Sequence, residues 1–434
     1  MDLDAAVQTQ EFGDDPRPAQ LELLKSWQRR DSHHPQRNAE IDLAPARAGA
    51  SLPLARIGGV SAPYRSYVLV SRDQIARNYR GRTRRGWAAR RSCRRREGRR
   101  LRHGALEVSR VAIAEGARWL AVSSVEEGVT LRRNGIDVRI LVMGGFLPHE
   151  SEALLEFDLT PAVHSLDQIA QVDRLSETAG KSIHYHLKID SGMGRLGTRA
   201  SAGEIIQALG KAPHAHLEGL MTHFASASDY TKPQTGEQLA YFDAIAQQLR
   251  AAGVKVPYLH TSSTIAIGYG RKEGWHEMVR AGHALYGYVS PARGDAPPQL
   301  LDVKPALTWK AKLMAVKDLP EGALCGYGGT FRTPRPMRIG VLGAGYADGI
   351  FHRLSNRGKV IADGQITSIL GTISMDLTTI DLSHTTALAP GDDVTLLGTE
   401  GEARLEAPEI ARVAGTISYN ILCSISSRVK GLYV

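Results

Sequence analysis

The sequence predicts an α/β protein with two parts, a parallel (β/α)8 barrel of the TIM type over residues 65–300 and a mainly-β domain over residues 301–434. The first observation is a regular alternation of short apolar strands with amphipathic helices from about residue 103 to residue 260, which is typical of parallel βα units. The second is a span of roughly 230 residues, which favours a closed barrel over an open sheet. The third is a change after residue 300 to strand-like runs separated by glycine turns.

The predicted elements follow one another along the chain. Residues 67–70 form a short strand, and Ser71 is placed to cap a helix in which Ile75 and Tyr79 share one face. The apolar period then stops over residues 80–102. Beyond this window we predict helices over 105–115, 125–134, 165–179, 202–209 and 235–252, and strands over 119–123, 138–143, 162–163, 183–189, 217–222 and 258–260.

The composition is ordinary for a soluble globular chain. Apolar residues make up 42% of the 434 residues and aromatic residues 6%. No segment approaches the roughly 18 uninterrupted apolar residues of a membrane span, and the first residues carry neither a basic region nor an apolar stretch. The three cysteines, Cys93, Cys325 and Cys423, are too few and too scattered for a disulfide framework or a zinc site. We therefore expect a cytoplasmic protein with free thiols and no membrane partner.

The positive charge is confined to one window. The formal charge is +9, yet residues 80–102 alone hold twelve arginines and one glutamate. Outside this window the chain is near neutral, so basicity is not a property of the fold. The run is consistent with a basic arm that binds nucleic acid, which would require salt-dependent binding that is lost when the arm is deleted. Residues 1–64 are polar and aperiodic, and we predict a disordered or spurious extension there.

Unusual polar groups fall where barrel strands are predicted to end, which is where such barrels carry their chemistry. Residues 190–197 form a glycine-rich segment with Arg195, whose guanidinium is suited to clamp a carboxylate through two hydrogen bonds. The plain alternative is a solvated arginine on a barrel loop. Lys188 lies inside the preceding strand, where an uncompensated ammonium is costly. It therefore needs an acidic partner or a neutralising modification.

Three further strand ends carry candidate groups. His223 follows the strand over 217–222, and a lone histidine at this place is either structural or catalytic. Ser263 lies in a cluster of hydroxyls that suits a phosphate group, although serine clusters usually just make turns. Arg280 precedes Gly282, whose amide is free to face an anion.

The second domain adds a tyrosine on a glycine turn. Tyr327 stands between Gly326 and Gly328, which leave its backbone little choice but a tight turn. Further glycine-rich segments follow at 345–349 and 353–358. Composition alone is equally consistent with a β domain whose glycines only make turns, so the order and spacing of these segments must decide.

In that order and spacing the segments resemble the alanine racemase family. The resemblance covers residues 66–434 and implies a barrel followed by a β domain, pyridoxal phosphate as the cofactor, alanine as the substrate and a homodimer with its active site at the subunit interface. The matching segments are residues 188–197, 279–287, 326–331, 345–358 and 416–428, together with Met375 and Asp376.

The resemblance implies a role for each matching residue. Arg280 would face the pyridine nitrogen of the cofactor and keep it unprotonated, because a guanidinium is always charged. Tyr327 would be the general acid/base at the substrate α-carbon, reaching across the dimer interface. Ser263, Gly282 and Tyr419 would bind the phosphate, and Arg195 would contact the cofactor ring oxygen and the substrate carboxylate side. His223 would link Arg280 to Tyr327, and Met375 and Asp376 would contact the substrate across the interface. Lys188 would be a carbamylated lysine.

The chain departs from the family pattern in three places. Ser262 stands where the family usually has asparagine, and Ser374 stands where it often has cysteine. The third departure is larger. The family motif V-V-K-A-D-A-Y-G-H-G carries the lysine that forms the Schiff base and serves as the second base. Here only its final His103 and Gly104 remain, preceded by arginines.

A one-base slip in the coding frame accounts for this loss. With arginine written as CGN, glutamate as GAA, glycine as GGC and leucine as CTA, residues 95–101 read from the second base of each codon as Val-Val-Lys-Ala-Asp-Ala-Tyr. The hypothesis is a slip near residue 80 that is restored near residue 102. It explains the arginine run, the lost helix period and the lost motif together, and it leaves His103 and Gly104 in register. The alternative is a genuine basic insertion.

The sequence therefore predicts an isomerase that interconverts L-alanine and D-alanine by two-base proton transfer, with pyridoxal phosphate, for the supply of D-alanine to peptidoglycan. We expect no nucleic-acid partner. The literal chain lacks the cofactor lysine, and we expect it to be inactive as written. Three alternatives stay open, namely a broad-specificity amino-acid racemase, an inactive barrel homologue that binds the same cofactor, and a nucleic-acid binder that uses the arginine run.

Overall fold

The structure, a computed structural model, describes residues 63–83, 91–93 and 102–434, with only the backbone described at 82–83 and 91–93. Nearly all of the predicted extension over residues 1–64 lies outside the described residues. So does most of the arginine-rich window over residues 80–102.

Parallel strands form a barrel within the described part of the chain. Strands β3 to β8 form one sheet in chain order, and strands β2 and β9 pair with each other. The strand β2 also lies against β3, and β8 lies against β9, so the eight strands close into the predicted (β/α)8 barrel. Their bounds are β2 Arg91–Cys93, β3 Trp119–Val122, β4 Arg139–Val142, β5 Thr160–Val163, β6 His184–Lys188, β7 His216–Met221, β8 Tyr258–His260 and β9 Met278–Arg280.

Three of the helices that connect these strands begin at side-chain caps that the sequence supplies. Ser124, Ser165 and Ser201 each accept a hydrogen bond from a backbone N–H in the first turn of the helix that follows. Ser71 accepts one from the backbone N–H of Gln74, as the sequence predicted. The helices are α1 Arg72–Thr83, α2 Ala105–Ala114, α3 Val125–Arg133, α4 Ser151–Glu156, α5 Leu166–Ala179, α6 Ala202–Gly210, α7 Gln234–Ala251 and α8 Thr264–Gly268.

Two layers of apolar packing hold the barrel. Aliphatic side chains from the strands meet the helices outside, and this cluster is the main barrel core. Inside the barrel a smaller cluster surrounds Trp119, whose ring lies 5.5 Å from the ring of Tyr258 and 5.3 Å from the imidazole of His186. The barrel interior therefore holds polar as well as apolar side chains.

The second domain is built on one nine-stranded sheet of order β18-β17-β14-β15-β16-β13-β10-β1-β19. Two short helices, α9 Ala407–Ala414 and α10 Ser418–Ser424, pack against each other beside it. The strands that follow the barrel are β10 Leu307–Leu319, β11 Leu324–Cys325, β12 Phe331–Arg332, β13 Met337–Leu342, β14 Lys359–Ala362, β15 Gln365–Leu370, β16 Thr378–Asp381, β17 Asp393–Glu400, β18 Ala403–Leu405 and β19 Lys430–Tyr433.

The first described strand, β1 Ser66–Val70, does not belong to the barrel. It pairs antiparallel with β10, with Val70 opposite Leu307, and parallel with β19. The assignment of this strand to a barrel that begins at residue 65 is therefore wrong, because a short apolar run does not reveal which distant strand it pairs with. Among the described residues, no helix combines the length and the hydropathy needed to cross a membrane.

Candidate active site

The predicted site residues of the barrel gather at one end, beyond the last residues of the strands. Lys188, Met221 and His260 end β6, β7 and β8 and lie opposite one another in the parallel register. His223 therefore follows β7 at the same end of the barrel. Arg280 ends β9 and forms an isolated bridge with Ser263. The barrel topology thus brings together groups that are far apart in sequence.

Arg280 occupies the centre of this end. Its side chain is buried, at 2% exposure, and its guanidinium donates to the backbone carbonyls of His260, Thr222 and Thr261 at 2.7, 2.6 and 2.9 Å. It also lies 2.8 Å from Nδ1 of His260 and 3.3 Å from Nδ1 of His223. Held by backbone carbonyls and ring nitrogens, the guanidinium is fixed in place and keeps its positive charge, because arginine does not deprotonate in proteins.

A chain of buried polar groups extends from Arg280 through the barrel interior. Nε2 of His260 lies 2.7 Å from Nδ1 of His186, and Nε2 of His186 lies 3.7 Å from Oε2 of Glu218. Glu218 in turn forms a bidentate ion pair with Arg139, at 2.6 Å for Nη2 and Oε2. The guanidinium of Arg139 lies over the ring of Trp119, and its side chain is 40% exposed. The chain thus connects Arg280 with the solvent-facing Arg139.

The positions of the protons in this chain follow from its chemistry. Arg280 is donor only, so Nδ1 of His260 accepts and its Nε2 carries the proton that is donated to His186. Burial and the charge of Arg280 hold the pKa of His260 well below its usual value, which keeps the ring neutral. Burial raises the pKa of Glu218, but the contact with His186 and the charge of Arg139 outweigh it, so the pKa lies below its usual value. This tautomer of His260 satisfies its contacts with Arg280 and His186, while Nε2 of His186 meets Glu218 only as an electrostatic contact at 3.7 Å.

The loop that carries Arg195 is built around one carboxylate. Oδ1 of Asp190 accepts hydrogen bonds from the backbone N–H groups of Gly192, Met193 and Gly194 at 3.2, 2.9 and 3.0 Å. The neck of the loop is closed by two backbone hydrogen bonds of Thr198, one to Lys188 and one to Asp190. Arg195 is exposed on this loop. The loop is thus fixed in shape while its arginine remains accessible.

Lys188 ends β6 at 5% exposure. Its charge acts on His164, a residue that follows β5 and that was not among the predicted site residues. Burial and the charge of Lys188 lower the pKa of His164 to about 4. Neither ring nitrogen of His164 has a hydrogen-bond partner among the described residues. The signal in the sequence was its position, because it follows a predicted strand as directly as His223 does.

The residues predicted to bind a phosphate lie close to one another. Ser263 stands at the beginning of α8 and accepts a backbone hydrogen bond from Ile267 through its carbonyl. Gly282 follows β9 by two residues. Tyr419 comes from α10 of the other domain, and its ring stacks on the imidazole of His283 with 3.6 Å between the ring centres. A helix start, a glycine and a tyrosine hydroxyl are suited to anion binding.

The predicted residues of the second domain lie on its surface. Tyr327 is 76% exposed and stands on a short helical turn between Gly326 and Gly328, both at φ near +73°. Met375 is 52% exposed. Asp376 accepts a hydrogen bond from Arg428 at 2.6 Å. The phenol of Tyr327 is therefore open to a second molecule.

Comparison with known proteins agrees with this arrangement of a barrel and a second domain. The model of the alanine racemase N-terminal domain matches residues 100–291, and the model of the C-terminal domain matches residues 306–433. The chain belongs to the alanine racemase family. It is 41% identical over 332 residues to an alanine racemase of Carboxydothermus hydrogenoformans, which covers 76% of this chain and 89% of that protein. It is 39% identical over 332 residues to one of Symbiobacterium thermophilum, with 76% and 87% covered.

Solved alanine racemases share the fold. The enzyme of Clostridium difficile matches with a TM-score of 0.80 at 31% identity and covers 86% of this chain and 96% of its own. That of Streptomyces lavendulae matches with a TM-score of 0.79 at 29% identity, with 86% and 98% covered. An alanine racemase of Bartonella henselae, solved with covalently bound pyridoxal phosphate, shares the fold at 24% identity and a TM-score of 0.74, with 86% and 100% covered.

The residues present fit the ring and the phosphate of pyridoxal phosphate but offer no covalent anchor in the expected place. The charge of Arg280 and the unpaired buried nitrogens of His283 are suited to a polar, anionic ligand. The sequence, however, holds no lysine between Lys25 and Lys181. The strand β2 pairs in parallel with β9, and the N-terminal family match begins only at residue 100.

Proposed function

We propose that the protein interconverts L-alanine and D-alanine with pyridoxal phosphate as its cofactor. The observation that carries this proposal is the buried Arg280, held by His260, His223 and backbone carbonyls at the carboxyl end of the barrel, in a chain whose two domains both match the alanine racemase family. The division into an extension over residues 1–64, a barrel to residue 300 and a C-terminal β domain is part of this proposal, with β1 reassigned to the C-terminal sheet.

The residues of the barrel end would hold the cofactor and tune it. Ser263, Gly282 and Tyr419 would bind the phosphate, and Arg280 would meet the ring nitrogen. Because a guanidinium is always charged, Arg280 would keep that nitrogen unprotonated. When bound, pyridoxal phosphate withdraws electrons from the substrate α-carbon and makes its C–H acidic.

The remaining residues would bind the substrate and move its proton. Arg195 contacts the cofactor ring oxygen and the substrate carboxylate, on the loop that Asp190 fixes, and Lys188 is the modified lysine beside it. Tyr327 removes or returns the α-proton on one face of the substrate. The exposure of Tyr327 and Met375 supports a homodimer in which these two residues and Asp376 serve the site of the partner, while His223 links Arg280 to the phenol.

The second base of this reaction is the family lysine, which the literal chain lacks. We propose that the reading frame slipped by one base near residue 80 and was restored near residue 102, and the family match that begins at residue 100 supports this. The frame-corrected chain would act in the cytoplasm and supply D-alanine for the cell wall. The absence of the lysine favours one second candidate, in which the literal chain is an inactive homologue that binds the cofactor without covalent attachment.

Two chains tested side by side decide the proposal. One is the literal chain, and the other is rewritten in the corrected frame over residues 80–102. We expect the corrected chain to form D-alanine from L-alanine and the literal chain to form none. Tyr327→Phe in the corrected chain is the control, and it should lose activity while keeping the fold, because the phenol is exposed. A corrected chain that folds and does not racemise alanine, or that prefers other amino acids, contradicts the proposal.

A further inference from the structure

His283 is a buried side chain whose hydrogen-bonding capacity the fold leaves unused beside the proposed phosphate site. It directly follows Gly282 and is 3% exposed. Neither of its ring nitrogens has a hydrogen-bond partner among the residues that the structure describes. Buried polar groups in native proteins are normally paired, and an unpaired one costs free energy. This imidazole is therefore expected to meet its partner in a ligand.

The surroundings of His283 decide which part of the ring a ligand reaches. Tyr419 stacks on the imidazole with 3.6 Å between ring centres and 21° between ring planes. Tyr288 is stacked at 5.1 Å and 22°. Both tyrosine rings thus lie nearly parallel to the imidazole, and its two nitrogens lie on the ring edge, where a ligand would meet them. Gly282 directly precedes His283 in the chain, and Tyr419 is the tyrosine proposed to bind the phosphate.

The charge state of His283 fits a hydrogen-bond donor to an anion. Burial and the nearby His103 lower the pKa of His283 to about 3, so the ring is neutral near pH 7 and carries one N–H. Among the described residues, the titratable groups that interact with it are His103, Tyr288 and Tyr419, and none of them is a carboxylate. A phosphate oxygen would accept the N–H in a water-poor setting, where a hydrogen bond to a charged acceptor is strong.

We infer that the imidazole of His283 donates a hydrogen bond to the phosphate group of the bound cofactor, beside Gly282 and the hydroxyl of Tyr419. This inference rests on the proposed function, because it takes the phosphate to lie at Gly282 and Tyr419. It gives His283 a direct role in binding the cofactor, in addition to its packing against the rings of Tyr288 and Tyr419. The preference of the site for a phosphorylated ligand should then depend on this side chain.

The test compares two ligands that need no lysine. Pyridoxamine 5′-phosphate carries an amine in place of the aldehyde, so it binds without a Schiff base, and pyridoxamine lacks only the phosphate. Calorimetric titration of the full-length protein should give tighter binding of pyridoxamine 5′-phosphate. In His283→Leu, which keeps the buried volume and removes both nitrogens, we expect this binding to weaken by about 10- to 100-fold, the usual range for a hydrogen bond to a charged group. Binding of pyridoxamine should not change.

Two matched variants separate hydrogen bonding from packing. His283→Asn keeps an N–H donor in a smaller side chain and should retain part of the preference for the phosphorylated ligand. Tyr288→Phe keeps the neighbouring ring, removes an unpaired hydroxyl, and should leave the preference as it is. Thermal unfolding of each variant shows whether it is folded.

The outcomes distinguish this inference from the function on which it rests. If the parent protein prefers pyridoxamine 5′-phosphate and His283→Leu keeps the full preference, the inference is overturned and the phosphate site stands. If the parent protein binds both ligands equally, or neither, the phosphate site itself is refuted and the inference with it.

Discussion

Lowering the pH from 7 to 5 should destabilise the folded chain, because the barrel end holds buried neutral histidines. Burial and the charge of Lys188 lower the pKa of His164 to about 4, and burial and His103 lower the pKa of His283 to about 3. In the unfolded chain each histidine titrates at about 6.5. As the pH falls below that value, the unfolded chain binds protons that the folded chain does not bind, so the free energy of unfolding decreases.

The size of the effect follows from these pKa values. Between pH 7 and pH 5 the protonation of each histidine in the unfolded chain lowers the free energy of unfolding by about 2 kcal/mol, which is about 1.4 units of pH at 1.36 kcal/mol per unit. Together they cost about 4 kcal/mol, a large share of the roughly 5–15 kcal/mol that stabilises a typical protein. His260, whose pKa is also well below its usual value, acts in the same direction.

Urea unfolding of the cofactor-free protein at pH 7, 6 and 5, in buffers without phosphate, measures this loss. The informative variant carries leucine at both positions, through His164→Leu and His283→Leu. Whatever its stability at pH 7, its free energy of unfolding should fall by about 4 kcal/mol less than that of the parent between pH 7 and pH 5. Equal losses in the parent and the double variant would refute the reasoning, because the two imidazoles would then not be neutral and buried.

Three further predictions concern single residues. Glu218→Gln removes the carboxylate that pairs with Arg139. We expect urea unfolding to show a free energy of unfolding that is lower by about 2–3 kcal/mol, which is less than for a fully buried pair, because the arginine is 40% exposed. Gly197→Ala would place a Cβ 2.8 Å from the backbone nitrogen of Asp190 at φ +116°, and should lower the melting temperature and raise KM for alanine in the frame-corrected chain. The matched variant Gly210→Ala should change neither the melting temperature nor KM, because the space around Gly210 is open. Tyr327→Phe should leave the melting temperature unchanged, because the ring is 76% exposed, and abolish racemisation.

The barrel could be predicted because its signals are local. The helix α5 was predicted to within one residue, since Ser165 caps it and its apolar period is regular. The helix α4 was missed, because six residues are too few to establish a period. The pairing of β1 with β10 was beyond the sequence, since a strand of five residues carries no mark of its distant partner.

The candidate site divides in the same way. Arg280 was predicted from its position two residues before Gly282, which is a local pattern. The support behind it, from His260 through His186 to Glu218, was not predicted, because these side chains meet only when the strands close into a barrel. In the linear sequence each is one polar residue of a strand, and nothing in the strand pattern indicates that the three side chains meet.

The loss of one segment affects the fold and the chemistry unequally. The barrel is specified by many strand and helix contacts, and β2 still pairs with β9 through Arg91–Cys93, because backbone hydrogen bonds do not depend on the side chains. The residues that would hold the ring and the phosphate come from β7, β8, β9 and α10, all outside the arginine-rich window. The Schiff-base lysine, by contrast, comes from one position only, and no neighbouring strand can replace it at the same face of the substrate. The proposed change of reading frame would therefore leave the barrel and its proposed cofactor contacts in place while it removes the second base of the proposed reaction.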